Sequence, residues 1–351
     1  GNIVAIGAIK NDGNGENSGS VRIYHNNNGT WIQIGQDIDG ESAGDYSGFS
    51  VSLNSAGNIV AIGAIENDGN GIATGHVRVY RNISGTWTKI GNDINGEAVS
   101  DKSGHSVDLS SDGSTVAIGA IFNDGNGPGS GHVRVYEYKT DSQTWTQVGG
   151  DIDGEFAGDY SGNSVSLNSD GNIVAIGAHS NDEKFHGAGH TRIYQNNDGN
   201  WTQIGNDIDG KEKSAKSGYS VSLSSSGTIV AIGAYLNDGV GFDRTDTGIV
   251  SVYEYDTDLQ TWTQIGDDIE GESKDDYSGR SVSLSSDGKV VAIGAYIASS
   301  EQARSGSVRV YEFLDNPNHD PLPTQTPTPT QTPTPFSLNS CCHNCEYSLY
   351  N

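Results

Sequence analysis

The six-residue phrase IVAIGA at residues 3–8 returns, unchanged or with only its first residue altered, at 59–64, 115–120, 173–178, 229–234 and 290–295. Its glycine falls at Gly7, Gly63, Gly119, Gly177, Gly233 and Gly294, giving intervals of 56, 56, 58, 56 and 61 residues. A period of that size marks repeated supersecondary units, none of which buries its apolar face alone. The phrase is β-branched, apolar on both faces and closed by Gly-Ala, and so reads as a short strand covered on two sides.

Three segments travel with it. A serine strand precedes it, as SVSLN at 50–54 and SVDLS at 106–110, and alternates apolar and polar residues. An arginine strand of the type HVRVY follows, carrying Arg22, Arg78, Arg134, Arg192 and Arg309. Then comes a tryptophan strand of the type TWTQIG, carrying Trp31, Trp87, Trp145, Trp201 and Trp262. Short Asp-Gly or similar turns join the serine strand to IVAIGA as a tight hairpin. Four antiparallel strands per unit, repeated with no helical period between them, are expected to stack radially. The fold class is therefore all-β: a β-propeller of four-stranded antiparallel blades, six of them visible. The chain opens just past a serine–IVAIGA turn, so the first unit lacks its serine strand, and the last lacks its tryptophan strand. An upstream segment would make seven blades.

Glycine is abundant (49) and proline scarce (8), and six of the prolines lie between Pro321 and Pro335. That shift in composition separates a propeller at 1–314, a Pro/Thr linker at 315–335 and a cysteine-bearing tail at 336–351. Nineteen basic against 45 acidic residues leave a net charge of −26, which disfavours nucleic acid and anionic membrane as partners. No apolar run is long enough to span a bilayer.

The order S-G-x-S-V-x-L, then V-A-I-G-A, then G-x-V-R-V-Y resembles the FG-GAP repeats of integrin α-subunit propellers. It is closer still to the FG-GAP-like repeats of secreted and surface proteins of microbes and algae. The resemblance covers 1–314 and implies a propeller in an extracellular setting, serving adhesion or scaffolding and occasionally catalysis. The chain departs from it in two places. Ser replaces Phe before the first glycine (Ser47–Gly48, Ser103–Gly104, Ser161–Gly162), and Ile, His or Tyr replaces the proline after Gly-Ala. The D-x-D-x-D-G calcium loop of integrin-type blades is also missing, with only a short turn in its place.

Carboxylates gather instead in the loop between one tryptophan strand and the next serine strand. They are Asp37, Asp39, Glu41 and Asp45; then Asp151, Asp153, Glu155 and Asp159; then Asp268, Glu270, Glu272 and Asp276. Oxygen donors at i, i+2, i+4 and i+8 suit Ca²⁺, the one cofactor expected here. The competing reading has the same acids cap turns and pair with the repeated arginines. In the fourth copy Lys211 and Ala215 stand where two acids belong, as if one charge-neutralising arrangement replaces another. His76, His132 and His190 open successive arginine strands and read as isolated surface residues.

Sequons at Asn28, Asn82 and Asn200 fall on the rim opposite the acids. Asn28 and Asn82 sit in the turn itself, whereas Asn200 adjoins a packed tryptophan. The threonines of the linker, Thr324, Thr326, Thr328, Thr330, Thr332 and Thr334, read as O-glycan acceptors on an extended polyproline II segment. Phe336, Ser337, Leu338, Asn339 and Ser340 resemble a serine strand, the element the first unit lacks. This suggests a tail that donates a strand to the next molecule. Cys341, Cys342 and Cys345 are the only cysteines, an odd number that points to disulfides with one sulfur left over.

With no unique nucleophile–base set in view, the sequence predicts no enzyme. It predicts an extracellular structural glycoprotein that self-associates through its tail into a coat or filament. The alternative is an adhesion module whose acidic face takes a protein or glycan, with Ca²⁺.

Overall fold

Each IVAIGA strand hydrogen-bonds to a serine strand on one side and an arginine strand on the other, always antiparallel. A computed structural model describes residues 2–239, 245–298 and 305–313. In the second unit the order is Ser47–Leu53, Ile59–Ala64, His76–Ile83 and Thr86–Lys89, with Ile94–Asn95 also pairing with the third strand. The outermost strand is thus split in two, because Gly91 turns the backbone into the left-handed region (φ +74°) between the halves. The first sheet has no serine strand and the last no tryptophan strand among the described residues. Six such sheets follow one another with their serine strands innermost, forming an all-β, six-bladed propeller.

The apolar phrase is buried on two faces in the inner sheets because each of them is sandwiched between two others. Val60 and Ile62 meet Val21 and Ile23 of the preceding sheet, while Ile59 and Ala61 meet Val107 and Leu109 of the following one. Burial of one such aliphatic side chain contributes about 1.5–3 kcal/mol, and the period multiplies it. The end sheets show the reverse: Ile6 is 51% exposed and Val308 66%, where Ile62 and Val77 are fully covered.

Polar residues stitch the sheets together at both radii. At the outer edge the indole of Trp87 donates to the Ile34 carbonyl (2.8 Å) and that of Trp201 to the Val148 carbonyl (2.8 Å), each in the preceding sheet. At the inner edge the serines face the following sheet. Ser50 Oγ donates to the Gly104 carbonyl (2.7 Å), and Ser52 Oγ accepts from the Leu109 amide (3.1 Å). The repeated glycine follows from the same convergence: a Cβ on Gly119 would lie 2.1 Å from the Gly162 carbonyl oxygen of the next sheet.

Candidate functional site

Antiparallel order puts the starts of the serine strands and the ends of the IVAIGA strands on one rim, at the mouth of the central channel. Two positions there are not repeated. The residue after Ser-Gly is Phe49, His105, Asn163, Tyr219 and Arg280 in turn, and the residue after Gly-Ala is His179, Tyr235 and Tyr296 in the last three copies. Their rings form two runs of contacts, one at Phe49–His105 and one from His179 to Tyr296. Phe49 lies 5.1 Å from His105; His179 stacks on Tyr160 (5.8 Å) and meets Tyr219 edge-on (5.6 Å), and Tyr219 meets Tyr235 at 4.5 Å. The Arg280 guanidinium lies over Tyr219 (5.0 Å), Tyr235 (5.3 Å) and Tyr296 (4.5 Å). Such contacts hold a cation in place without spending its hydrogen bonds.

Both imidazoles are neutral at pH 7. Burial lowers the pKa of His105 to about 4. Burial, then the Lys216 charge, lowers that of His179 to about 3. Deeper in the channel Asp108 stands where the other copies have serine. Its carboxylate accepts from Ser52 Oγ (2.8 Å) and from the Leu167 amide of the next sheet (2.8 Å), spanning three blades. Burial nevertheless pushes it up to about 6, the hydrogen bonds opposing only part of that cost.

The acidic loops lie on the same rim, and their carboxylates turn to separate tasks. Asp45, Asp159 and Asp276 are buried and accept from their own loop's amides, those of Ser42, Phe156 and Ser273. Glu41, Glu155 and Glu272 pair with Arg78, Arg192 and Arg309 of the following sheet at 3.1, 3.5 and 3.3 Å. Asp39, Asp153 and Glu270 lie in the two-residue outer strands. Asp37 binds Arg22 at 2.8 Å; Asp151 accepts from Gln147 (2.7 Å), and Asp268 from Gln264 (2.9 Å) and Ser251 (2.6 Å). Among the described residues, no loop brings its four acids into one ligand set.

The fourth copy shows what its two missing acids mean. Ser251 replaces the arginine of the following sheet, and Lys211, from the glutamate position, pairs with Asp268 instead. Ala215 packs with Ala234 and Ile249, the last at the histidine position, so this junction is rebuilt as apolar contact beside a reversed ion pair.

The three histidines are not surface residues. His76, His132 and His190 are 0–1% exposed, because the first residue of an arginine strand lies under the preceding sheet's acidic loop. Each gathers carboxylates close enough to hold a metal ion: Glu41 and Asp93; Glu97 and Asp151; and Glu155, Glu183 and Asp207. Sequence reasoning placed acids on this rim but missed the buried histidine that focuses them. A groove of about 860 Å³ along the first of these clusters is open and lined by acids such as Glu66 and Asp68.

On the opposite rim Asn28 and Asn200 are exposed, whereas the Asn82 amide nitrogen is enclosed and has no partner among the described residues. The six linker threonines, the Phe336–Ser340 segment and the three cysteines lie outside the described residues. No helix among the described residues is long and apolar enough to cross a membrane.

The architecture defines a six-bladed propeller with a differentiated channel mouth. No protein-family profile matches the chain, so the FG-GAP resemblance stands on its motifs alone, and no curated protein matches either. Among solved structures, the periplasmic gluconolactonase PpgL of Pseudomonas aeruginosa is similar. It shares 15% identity and a TM-score of 0.58, covering 92% of this chain and 82% of that one. Two structures described as putative 6-phosphogluconolactonases also align. That of Bacteroides uniformis shares 12% identity (92% and 94% covered, TM-score 0.49), and that of Bacteroides fragilis 11% (92% and 93%, 0.47).

The likeness to PpgL corrects the expectation of a non-catalytic coat, filament or adhesion protein. The fold is one that a gluconolactonase uses. The exclusion of catalysis had rested on unbroken repeat symmetry, and that symmetry breaks at the mouth.

Proposed function

We propose that the protein is a propeller hydrolase acting on sugar-type lactones at the channel mouth. The observation that supports this most directly is the departure from repeat at the inner rim. There, neutral His105 and His179 and the Arg280 cation stand around an aromatic wall. Aromatic faces suit the C–H face of a sugar ring, and a fixed guanidinium suits an oxygen that gains charge. In the reaction a water adds to the acyl carbon, an imidazole takes its proton, the ring C–O bond breaks, and the alkoxide is protonated to give the hydroxy acid. The likeness to a periplasmic gluconolactonase favours the same substrate class and a place outside the cytoplasm.

The test is acid release from glucono-δ-lactone in a pH-stat, corrected for spontaneous hydrolysis. Catalysis should fall by about 10²-fold or more in the variant lacking the working base, His105→Ala or His179→Ala. It should fall similarly in Arg280→Ala. With imidazole pKa values of about 4 and about 3, activity should be flat from neutral pH down to about pH 5 and fail only below. Wild-type rates no faster than buffer, or variants equal to wild type, overturn the proposal.

A further inference from the structure

The junction of the third and fourth sheets holds a cluster with no part in the proposed hydrolysis. His190 is fully buried, and among the described residues neither ring nitrogen has a hydrogen-bond partner. Its Nδ1 faces Asp207 Oδ2 at 3.7 Å and Glu155 Oε2 at 3.8 Å, too long for hydrogen bonds. Glu155 Oε2 is likewise enclosed and unpartnered, while its other oxygen lies 3.5 Å from Arg192. Glu183, from the loop between the IVAIGA and arginine strands, brings a third carboxylate, and one ligand atom from each residue lies within 4.8 Å of all the others.

We propose that Glu155, Glu183, His190 and Asp207 form a binding site for a divalent cation of the zinc class. Donors about 2.1 Å from a tetrahedral zinc lie about 3.4 Å from one another, so the two gaps at His190 close with a few tenths of an ångström and the widest in the set with at most about 1.4 Å of side-chain movement. Charge agrees: three carboxylates against one guanidinium leave two negative charges for a divalent ion to cancel. Neither imidazole nitrogen is engaged among the described residues, so a lone pair is free to bind the ion. An imidazole donor in a buried pocket selects zinc over calcium, which wants six to eight oxygens. The equivalent clusters at His76 and His132 have three donors each, so the four-donor site is the tight one. At the fourth–fifth junction, Ile249 and Lys211 replace the ligating types and the site is gone.

The test titrates chelator-treated protein with Zn²⁺ by calorimetry and follows Co²⁺ by its visible absorption. One tight equivalent is expected, with the intense Co²⁺ band of low coordination. Both should vanish in His190→Ala. Glu183 is exposed, so Glu183→Ala should fold normally and weaken the tight step by about tenfold or more. His186→Ala, which removes a neighbouring surface imidazole that is 77% exposed, should change nothing. Absence of a tight step, a tight step indifferent to Glu183→Ala, or one lost in His186→Ala overturns the site. Lactone hydrolysis is not among the readouts, so the two proposals fail separately.

Discussion

Replacing Asp108 with Ser, the residue at that place in the other four serine strands, should stabilise the protein at neutral pH and not at acid pH. The carboxyl is held at about 6 rather than 3.8, which makes its ionised form cost about 3 kcal/mol in the fold. The sign follows from proton counts. Between about pH 4 and pH 6 the native state keeps a proton that the unfolded chain has released, so wild-type stability falls as pH rises through that window. Above about pH 6 both states are ionised and the penalty is constant; below about pH 4 both are protonated and it vanishes. About half of it should be present by pH 5. A serine at 108 can still accept from the Leu167 amide, as Ser166 does from Leu223 (3.0 Å), so the pH-independent offset should be small. Calorimetric melting of both proteins from about pH 4 to about pH 8 isolates the effect, because every other titrating group cancels in the difference. A gap that stays constant over the range, or widens towards acid, refutes the reasoning.

Two further outcomes follow from the sheet junctions. Lys211→Glu alone should destabilise by about 1 kcal/mol, placing a second carboxylate beside Asp268; adding Ser251→Arg should recover most of the loss, the pair being partly exposed and so modest. A double-mutant cycle by thermal melting with no favourable coupling would contradict the charge-reversal reading. Gly119→Ala should cost about 3 kcal/mol or more, since its Cβ meets backbone of the next sheet that cannot step aside; a melting point within a degree or two of wild type, by roughly the usual conversion, would contradict it.

The frame was legible in the sequence because propeller packing repeats. The buried pattern of Ile59–Ala64, the hairpin turns and the sharing of one rim by the acidic loops all follow from period and alternation. The site was not legible, for two physical reasons. The burial of His190 depends on the acidic loop of the preceding sheet lying over it, a contact between residues 35 positions apart that no local pattern encodes. At the mouth, Phe49, His105, Asn163, Tyr219 and Arg280 share one place in the repeat, and reading the copies for agreement passes over such a place. Aligning them for disagreement would have found it.

That distinction has a physical basis. A side chain that stitches one blade to the next, such as Trp87 on Ile34 or Ser50 on Gly104, must recur because its partner recurs. A change at such a place is tolerated only with a matching change across the junction. Lys211 with Ser251, and Ala215 with Ile249, show that compensation, and it accounts for them as packing. The mouth side chains differ from copy to copy while packing chiefly on one another's rings, and where one bonds the next sheet, as Asn163 Nδ2 does to the Tyr219 carbonyl (2.8 Å), it takes backbone and needs no matching side chain. Departure from the period without compensation therefore separates residues free to serve a ligand from those bound to the ring. Within the described residues that filter retains the mouth set as a whole, with His105, His179 and Arg280, to which the hydrolytic reading assigns its chemistry, among the aromatic residues around them.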